Sequence, residues 1–186
     1  TSGIPCRVCY HPPGSGDTVK DWLGGGLPYM PQEGNDLGER MERACRQAFS
    51  EGVARAILIG SDIPDLPPEM FIDAFRALND RGAVIGPALD GGYYLIGFNK
   101  DTFFPGIFSG IVWSTSDVFS RTMQAFDQAG QRVNVLPLWR DMDTVDDLKE
   151  LMNRNRNGDF NRSRTMRFLV SHSSRMNSAE VPDAKI

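Results

Sequence analysis

The stretch Ala56-Ile57-Leu58-Ile59-Gly60-Ser61-Asp62-Ile63-Pro64-Asp65-Leu66 decides the fold. Four apolar residues stop at a glycine, two carboxylates follow, and Pro67-Pro68-Glu69 opens a helix, since proline costs nothing in a first turn. A short, wholly apolar run bounded in this way reads as a central, buried, parallel strand of an α/β sheet. Ligands of open α/β sheets bind at the carboxyl ends of the strands. Asp62 and Asp65 reach that edge on a rigid strand, and carboxylates there suit a hard divalent cation such as Mg²⁺ or Mn²⁺. The purely structural alternative has Asp62 capping a turn and Asp65 capping the next helix.

Outward from this strand, the pattern alternates helices and strands. Residues 17–23 read as a short helix ended by Gly24-Gly25-Gly26. Leu37, Met41, Ala44, Cys45, Ala48 and Phe49 recur at helical spacing, which predicts a helix over 37–50 with one core face. Asp36 fits its N-cap, with Glu39 completing a capping box. The polar, glycine-rich loop before it, from Tyr29, suits the polar edge of a ligand, because free N–H groups point outward at a helix start and the Gln32 amide both donates and accepts.

Met70, Phe71, Ala74, Phe75 and Leu78 give the next helix its buried side. The strand 83–88 then runs through the turn Asp90-Gly91-Gly92 into a strand from Tyr93 to Phe98. Two glycines there permit positive φ or close approach of a phosphate or sugar, although a plain hairpin also explains Asp-Gly. The hydroxyls of Ser114, Thr115 and Ser116 are natural caps for a helix running to Ala129, and Trp113 stands where it can flank an acceptor. After a strand at 132–136 comes a second acidic cluster, Asp141-Met142-Asp143-Thr144-Val145-Asp146-Asp147. Thr144 and Asp147 form a cap. Asp141 and Asp143 alternate on an extended segment, so they face one way and repel unless a cation or partner joins them.

Composition narrows the classes. The 186 residues, 40% hydrophobic and 24% charged, fit a single soluble domain with a full core. No apolar run approaches the roughly 20 residues of a membrane span and the N-terminus lacks a signal-peptide layout, so the expected location is cytoplasmic. Three cysteines argue against a disulfide framework, and the Cys6/Cys9 pair has no second Cys/His pair to complete a zinc site. The net charge of −4 hides an asymmetry: residues 152–186 carry seven Lys/Arg against three acids, leaving −8 on residues 1–151. An acidic body excludes nucleic acid as the natural partner. The composition divides the chain into a domain at 1–152 and a polar, basic extension at 153–186, in which Met166, Phe168, Leu169 and Val170 permit one short docked helix before a loose end.

In order along the chain stand Gln32, Asp36-Leu37-Gly38-Glu39-Arg40-Met41, Gly60-Ser61-Asp62-Ile63-Pro64-Asp65-Leu66, Asp90-Gly91-Gly92-Tyr93-Tyr94-Leu95-Ile96-Gly97, Trp113-Ser114-Thr115 and Asp141-Met142-Asp143-Thr144. As an ordered set over roughly residues 1–152 they closely resemble the selenodomain-associated glycosyltransferases. More distantly they look like molybdenum cofactor guanylyltransferases and 2-phospho-L-lactate guanylyltransferase.

The resemblance implies a three-layer, Rossmann-like GT-A nucleotide-diphospho-sugar transferase fold with a mostly parallel sheet. It implies Gln32 and Asp36-Leu37-Gly38 near the base, Asp62 as a metal ligand with Ser61 beside the phosphates, and Asp143 completing the metal site with support from Asp141. Gly91, Gly92, Tyr93, Trp113 and Ser114 fall around the sugar or acceptor, and Asp65 or Asp90 is the candidate base. The implied activity is metal-dependent glycosyl transfer from a nucleotide-diphospho-sugar to an unknown acceptor. Alternatives are nucleotidyl transfer from a nucleoside triphosphate, releasing pyrophosphate, and non-catalytic nucleotide or sugar binding. Proteins of this kind open with a strand and a glycine-containing Lys/Arg loop that holds the phosphates, and this chain carries no such segment. The expectation is that its first βα unit either precedes the chain or is missing, in which case a nucleotide binds weakly.

Overall fold

The computed structural model describes residues 4–173 and Met176. Six strands and six α-helices follow one another: β1 (Val8–Tyr10), α1 (Gly16–Leu23), β2 (Tyr29–Pro31), α2 (Leu37–Ser50), β3 (Arg55–Ile59), α3 (Pro68–Arg81), β4 (Ala83–Pro87), β5 (Tyr93–Asn99), α4 (Val118–Gln128), β6 (Val133–Val135), α5 (Val145–Arg154) and α6 (Arg164–Ser171). β1 and β2 pair in parallel as one small sheet, and the larger sheet has the order β3-β5-β4-β6. In it β5 is antiparallel to both β3 and β4, while β6 is parallel to β4. Three of its four strands therefore share a direction, and β5 alone is reversed.

Alternation along the strands builds three layers. Ala56, Leu58, Ala83, Ile85, Ile96 and Phe98 point to one face, where they meet Cys45 and Phe49 of α2 and Phe126 of α4. Ile57 and Val84, one position out of phase, point to the other face against Met70, Ala74 and Leu78 of α3. A strand whose successive side chains feed opposite layers must be apolar throughout, which explains the runs at 56–59 and 83–85.

The structure corrects five expectations. Tyr29–Pro31, expected as the start of a loop, is strand β2, held in parallel register against β1. The run Arg55–Ile59 is not a central parallel strand: it is the edge of the larger sheet, its ladder to β5 is antiparallel, and Ile59 is 42% exposed. The reason is β5, which returns from the turn at 90–92 and inserts between β3 and β4. Among the described residues no strand pairs with the other edge of β3 or with the free edge of β1. Leu37 starts α2 as expected but is 42% exposed, so the helix's buried face begins at Gly38 and runs through Cys45 and Phe49 instead. Asp36 caps α2 through Glu39 N (2.8 Å), yet Glu39 reaches back to Asn35 N (3.1 Å) rather than to the cap residue. The hydroxyls of Ser114–Ser116 do not cap α4, which begins only at Val118; Thr115 Oγ1 donates instead to Val112 O (2.8 Å), closing its own turn.

The polar tail is more ordered than its composition suggests. α5 runs through residue 152, and Leu151, Met166 and Leu169 form a small core with Leu148 and Phe160 packed against it. Phe168 and Val170 remain exposed. The loose end expected beyond lies outside the described residues. Among the described residues, no helix is long and apolar enough to cross a membrane.

Candidate functional site

The two acidic loops meet. β3 ends at Ile59; the N–H of the next residue, Gly60, donates to Tyr94 O (3.0 Å), and Asp62 follows two residues later. Asp62 folds back over Gly60: a Cβ at that position would stand 2.6 Å from Asp62 Oδ1, so glycine leaves the room this rotamer needs. From the other side, the backbone N–H of Met142 donates to Asp62 O (2.9 Å), which sets the extended segment Asp141–Asp143 beside the loop. Carboxylate oxygens of Asp62, Asp141 and Asp143 come within 4.8 Å of one another. The alternation of Asp141 and Asp143 about Met142 therefore has the consequence expected of it. The donor set is oxygen only, with Asp62 and Asp143 exposed and Asp141 half-buried, and this suits Mg²⁺ or Mn²⁺.

Electrostatics draw Asp90 into the same neighbourhood. Asp141 is pushed up to about 6, first by burial, then by the charge of Asp90, with Asp143 and Asp62 adding to it. Like charges this close oppose one another's ionisation, and a bound cation would relieve them. Asp90 also builds the turn that carries it. Its Oδ1 accepts from Gly92 N (2.8 Å), and Gly91 between them sits at φ +92°.

The turn nests against the loop before α4. Phe119 N donates to Gly91 O (2.9 Å), and a Cβ on Gly91 would lie 2.1 Å from Ser116 O. Gly91→Ala thus meets both a positive φ and backbone that cannot withdraw. We expect a loss of about 2–3 kcal/mol, read as a fall in Tm of roughly 2–4 °C per kcal/mol for a chain of this size. An unchanged Tm would show that the turn relaxes freely.

Trp113 wedges between elements. Its ring occupies the space a side chain at Gly38 would take, and it meets Tyr93 edge-on with centroids 6.5 Å apart. Tyr93 itself points into the core, its hydroxyl donating toward Met41 Sδ (3.8 Å), so only its backbone belongs to the Asp90 turn. Burial raises its pKa further above the usual tyrosine range. Ser114 is exposed and holds φ +62°, the one non-glycine residue with positive φ among those described. Backbone strain of this kind gathers where a binding surface fixes a loop.

Gln32 donates through Nε2 to Cys9 O (2.9 Å) and borders a cleft of about 30 Å³ with Met30, Arg40 and Arg43, leaving its Oε1 as an acceptor. The Asp36 carboxylate is occupied as the α2 cap, while Leu37 and Gly38 begin the helix. Ser61 is exposed beside Asp62.

Asp65 is placed differently from Asp62. Its side chain is 3% exposed and both oxygens are taken: Oδ1 accepts from Trp139 Nε1 (3.1 Å) and Arg154 Nη2 (2.9 Å), and Oδ2 from Arg154 Nε (2.8 Å) and Asn155 Nδ2 (2.7 Å). Burial alone would raise its pKa, but the hydrogen bonds from Arg154, Asn155 and Trp139 outweigh it and hold the carboxyl below the usual range. A carboxylate so engaged has no lone pair left for an acceptor proton. Arg154 and Asn155 lie 89 and 90 positions away, in a stretch that composition reads as extension, so no local pattern points to them.

Against known proteins, residues 1–115 match the family model described as "Uncharacterized protein conserved in bacteria (DUF2064)". The chain belongs to this family. The matched span includes Asp62 and the Asp90 turn; Asp141 and Asp143 lie beyond it. A crystal structure from Desulfovibrio desulfuricans G20, named a "putative nucleotide-diphospho-sugar transferase", is 41% identical with a TM-score of 0.89, over 96% of this chain and 78% of that one. CMP:2-keto-3-deoxy-manno-octonic acid synthetase, solved with CTP, aligns with a TM-score of 0.54 and 10% identity over 81% of this chain and 80% of that one, a likeness of fold alone. A search of the curated proteins finds no match. This DUF2064 member thus has the α/β fold of nucleotide-diphospho-sugar transferase-like proteins.

Proposed function

We propose that this DUF2064 chain is a metal-dependent glycosyltransferase that uses a nucleotide-diphospho-sugar donor. The observation that carries the reading is the convergence of Asp62, Asp141 and Asp143 from two separate loops onto one point within 4.8 Å. Three carboxylates repel, and that is a cost a fold bears where a cation offsets it. The 41% identity to a protein named for nucleotide-diphospho-sugar transfer supports the choice of donor.

In this reading Asp62 and Asp143, with Asp141, hold Mg²⁺ or Mn²⁺. The ion supplies Lewis-acid stabilisation of the charge that develops on a leaving diphosphate. The chain supplies the rest. Asp90 has one oxygen committed to Gly92 N, which fixes its orientation, and its second oxygen is the base for the acceptor hydroxyl. The N–H groups at the start of α2 and the Gln32 carbonyl serve the base edge of the nucleotide. The strained loop Trp113–Ser116, fixed against the Asp90 turn, forms the acceptor wall. Asp65 takes no part in proton transfer.

The test is calorimetric titration with GTP, UDP-glucose and GDP-mannose, each with Mn²⁺ and with chelator, followed by product analysis. The expected result is Mn²⁺-dependent binding of a nucleotide sugar and release of a nucleoside diphosphate. Tighter binding of the triphosphate with pyrophosphate as product replaces the reading by nucleotidyl transfer. Binding that survives the chelator removes the metal.

A further inference from the structure

We propose that Asp65, clamped by Trp139, Arg154 and Asn155, is a positioning residue that fixes the distance between Asp62 and the Asp141/Asp143 pair. The inference rests on the metal-site reading above and adds residues that reading does not use. Asp65 lies on the same loop as Asp62, three positions on. Its donors come from the other side of the site. Trp139, whose Nε1 reaches Asp65 Oδ1 (3.1 Å), stands two residues before Asp141. Arg154 forks onto both Asp65 oxygens and also donates from Nη2 to Arg140 O (3.4 Å), the carbonyl immediately before Asp141. Arg140 in turn pairs with Asp147 (2.9 Å) in the first turn of α5, and Met142 N closes the circuit onto Asp62 O (2.9 Å). The segment 139–142 is thus tied to the Asp62 loop on both sides of Asp141.

A merely structural role would need only the end of α5 to be pinned, for which Arg154 on Asp65 suffices. The Trp139 and Arg140 contacts do something further: they hold the backbone that bears the acids. Carboxylates within 4.8 Å push apart when no cation lies between them. Without the clamp the two loops keep the Met142 N–H to Asp62 O hydrogen bond but lose the ties through Asp65, so a cation must draw the carboxylates into place as it binds. Ligands held in advance bind more tightly than ligands that must be gathered, and removing outer partners of metal ligands typically weakens affinity by about 10–100-fold.

The experiment uses Mn²⁺ alone as probe, with calorimetry for affinity and water-proton relaxation for the number of waters on the bound ion. Asp65→Asn is expected to weaken Mn²⁺ binding by about 10-fold or more and, at saturation, to leave additional water on the ion as one carboxylate fails to reach it. Arg154→Lys, which keeps the charge but loses the fork, follows in the same direction and decides the matter if Asp65→Asn does not fold. Phe49→Leu, in the core between α2 and the sheet where it meets Phe103, lowers Tm without touching the clamp and is expected to bind Mn²⁺ as the wild type does. Wild-type affinity and hydration in both clamp variants, measured below their Tm, would overturn the positioning role and leave the metal site standing. Absence of Mn²⁺ binding by the wild type, indistinguishable from Asp62→Asn, would overturn both.

Discussion

Mn²⁺ affinity falls by roughly 100-fold in Asp62→Asn and in Asp143→Asn, at least as much as the loss of an outer partner costs a metal site. The reason is charge as much as geometry. Asn preserves the shape and one oxygen but removes the negative charge a hard cation requires. Asp90→Asn behaves otherwise. Its amide oxygen still accepts from Gly92 N, so the turn and its Gly91 conformation persist and Mn²⁺ binding changes by only a few-fold, as for a charge close to the ion but outside its ligand set. What Asp90→Asn loses is turnover, since an amide does not take a proton from an acceptor hydroxyl; a fall of about 10²–10⁴-fold in kcat is expected for loss of a general base. Titrating the three variants side by side with MnCl₂, then assaying them with the donor found by the nucleotide panel, separates the roles. Equal Mn²⁺ affinity in wild type and Asp62→Asn would remove Asp62 from the metal site. Equal turnover in wild type and Asp90→Asn would remove the base.

Asp65→Asn lowers stability at neutral pH by about 3 kcal/mol, the low end of the range for breaking a buried ion pair, because Arg154 keeps a quarter of its side chain in water. The pH dependence identifies the cause. Asp65 has its carboxyl held below the usual range in the folded chain, so the unfolded state takes up its proton first as pH falls. Its contribution is therefore fully present above the ordinary Asp value of about 4 and disappears as pH drops through the lower folded value. Urea unfolding at a series of pH values should show a constant gap between wild type and Asp65→Asn from pH 7 to about 5, closing below about 4. Asp141 works in the opposite sense. Its folded pKa lies above the ordinary value, so ionising it costs stability as pH rises from about 4 to about 6. That slope is common to both proteins and cancels in the difference. A gap that persists undiminished in acid would mean that shape or packing, not the Asp65 charge, is the source.

The sequence alone determined most of the helices and strands, though not β2 (Tyr29–Pro31), which lies in a stretch that reads as loop. α2, α3 and the β4–β5 hairpin are local in origin: apolar spacing of 3.6 or 2, Asp36 and Thr144 as caps, a proline start for α3 and a glycine turn at 90–92. The pairing of Asp141 with Asp143 was also legible, because alternation on an extended backbone is a local property. Their union with Asp62 was expected from the resemblance, but the contact that makes it, Met142 N on Asp62 O, is formed only in the fold.

What only the tertiary structure decided is where each strand sits and which carboxylate is spent on structure. An apolar strand reads the same at the centre of a sheet as at its edge, since both of its faces are covered by helices; hydrogen-bond partners, which leave no trace in side-chain pattern, put β5 beside β3. Likewise Asp62 and Asp65 are equivalent acids on one short loop. The difference between a solvent-facing carboxylate and a buried, clamped one is made by Trp139, Arg154 and Asn155, which come from distant sequence and meet Asp65 only once α5 has packed. Burial and partner choice are properties of the assembled chain, and they divide the roles of two residues that the sequence presents alike.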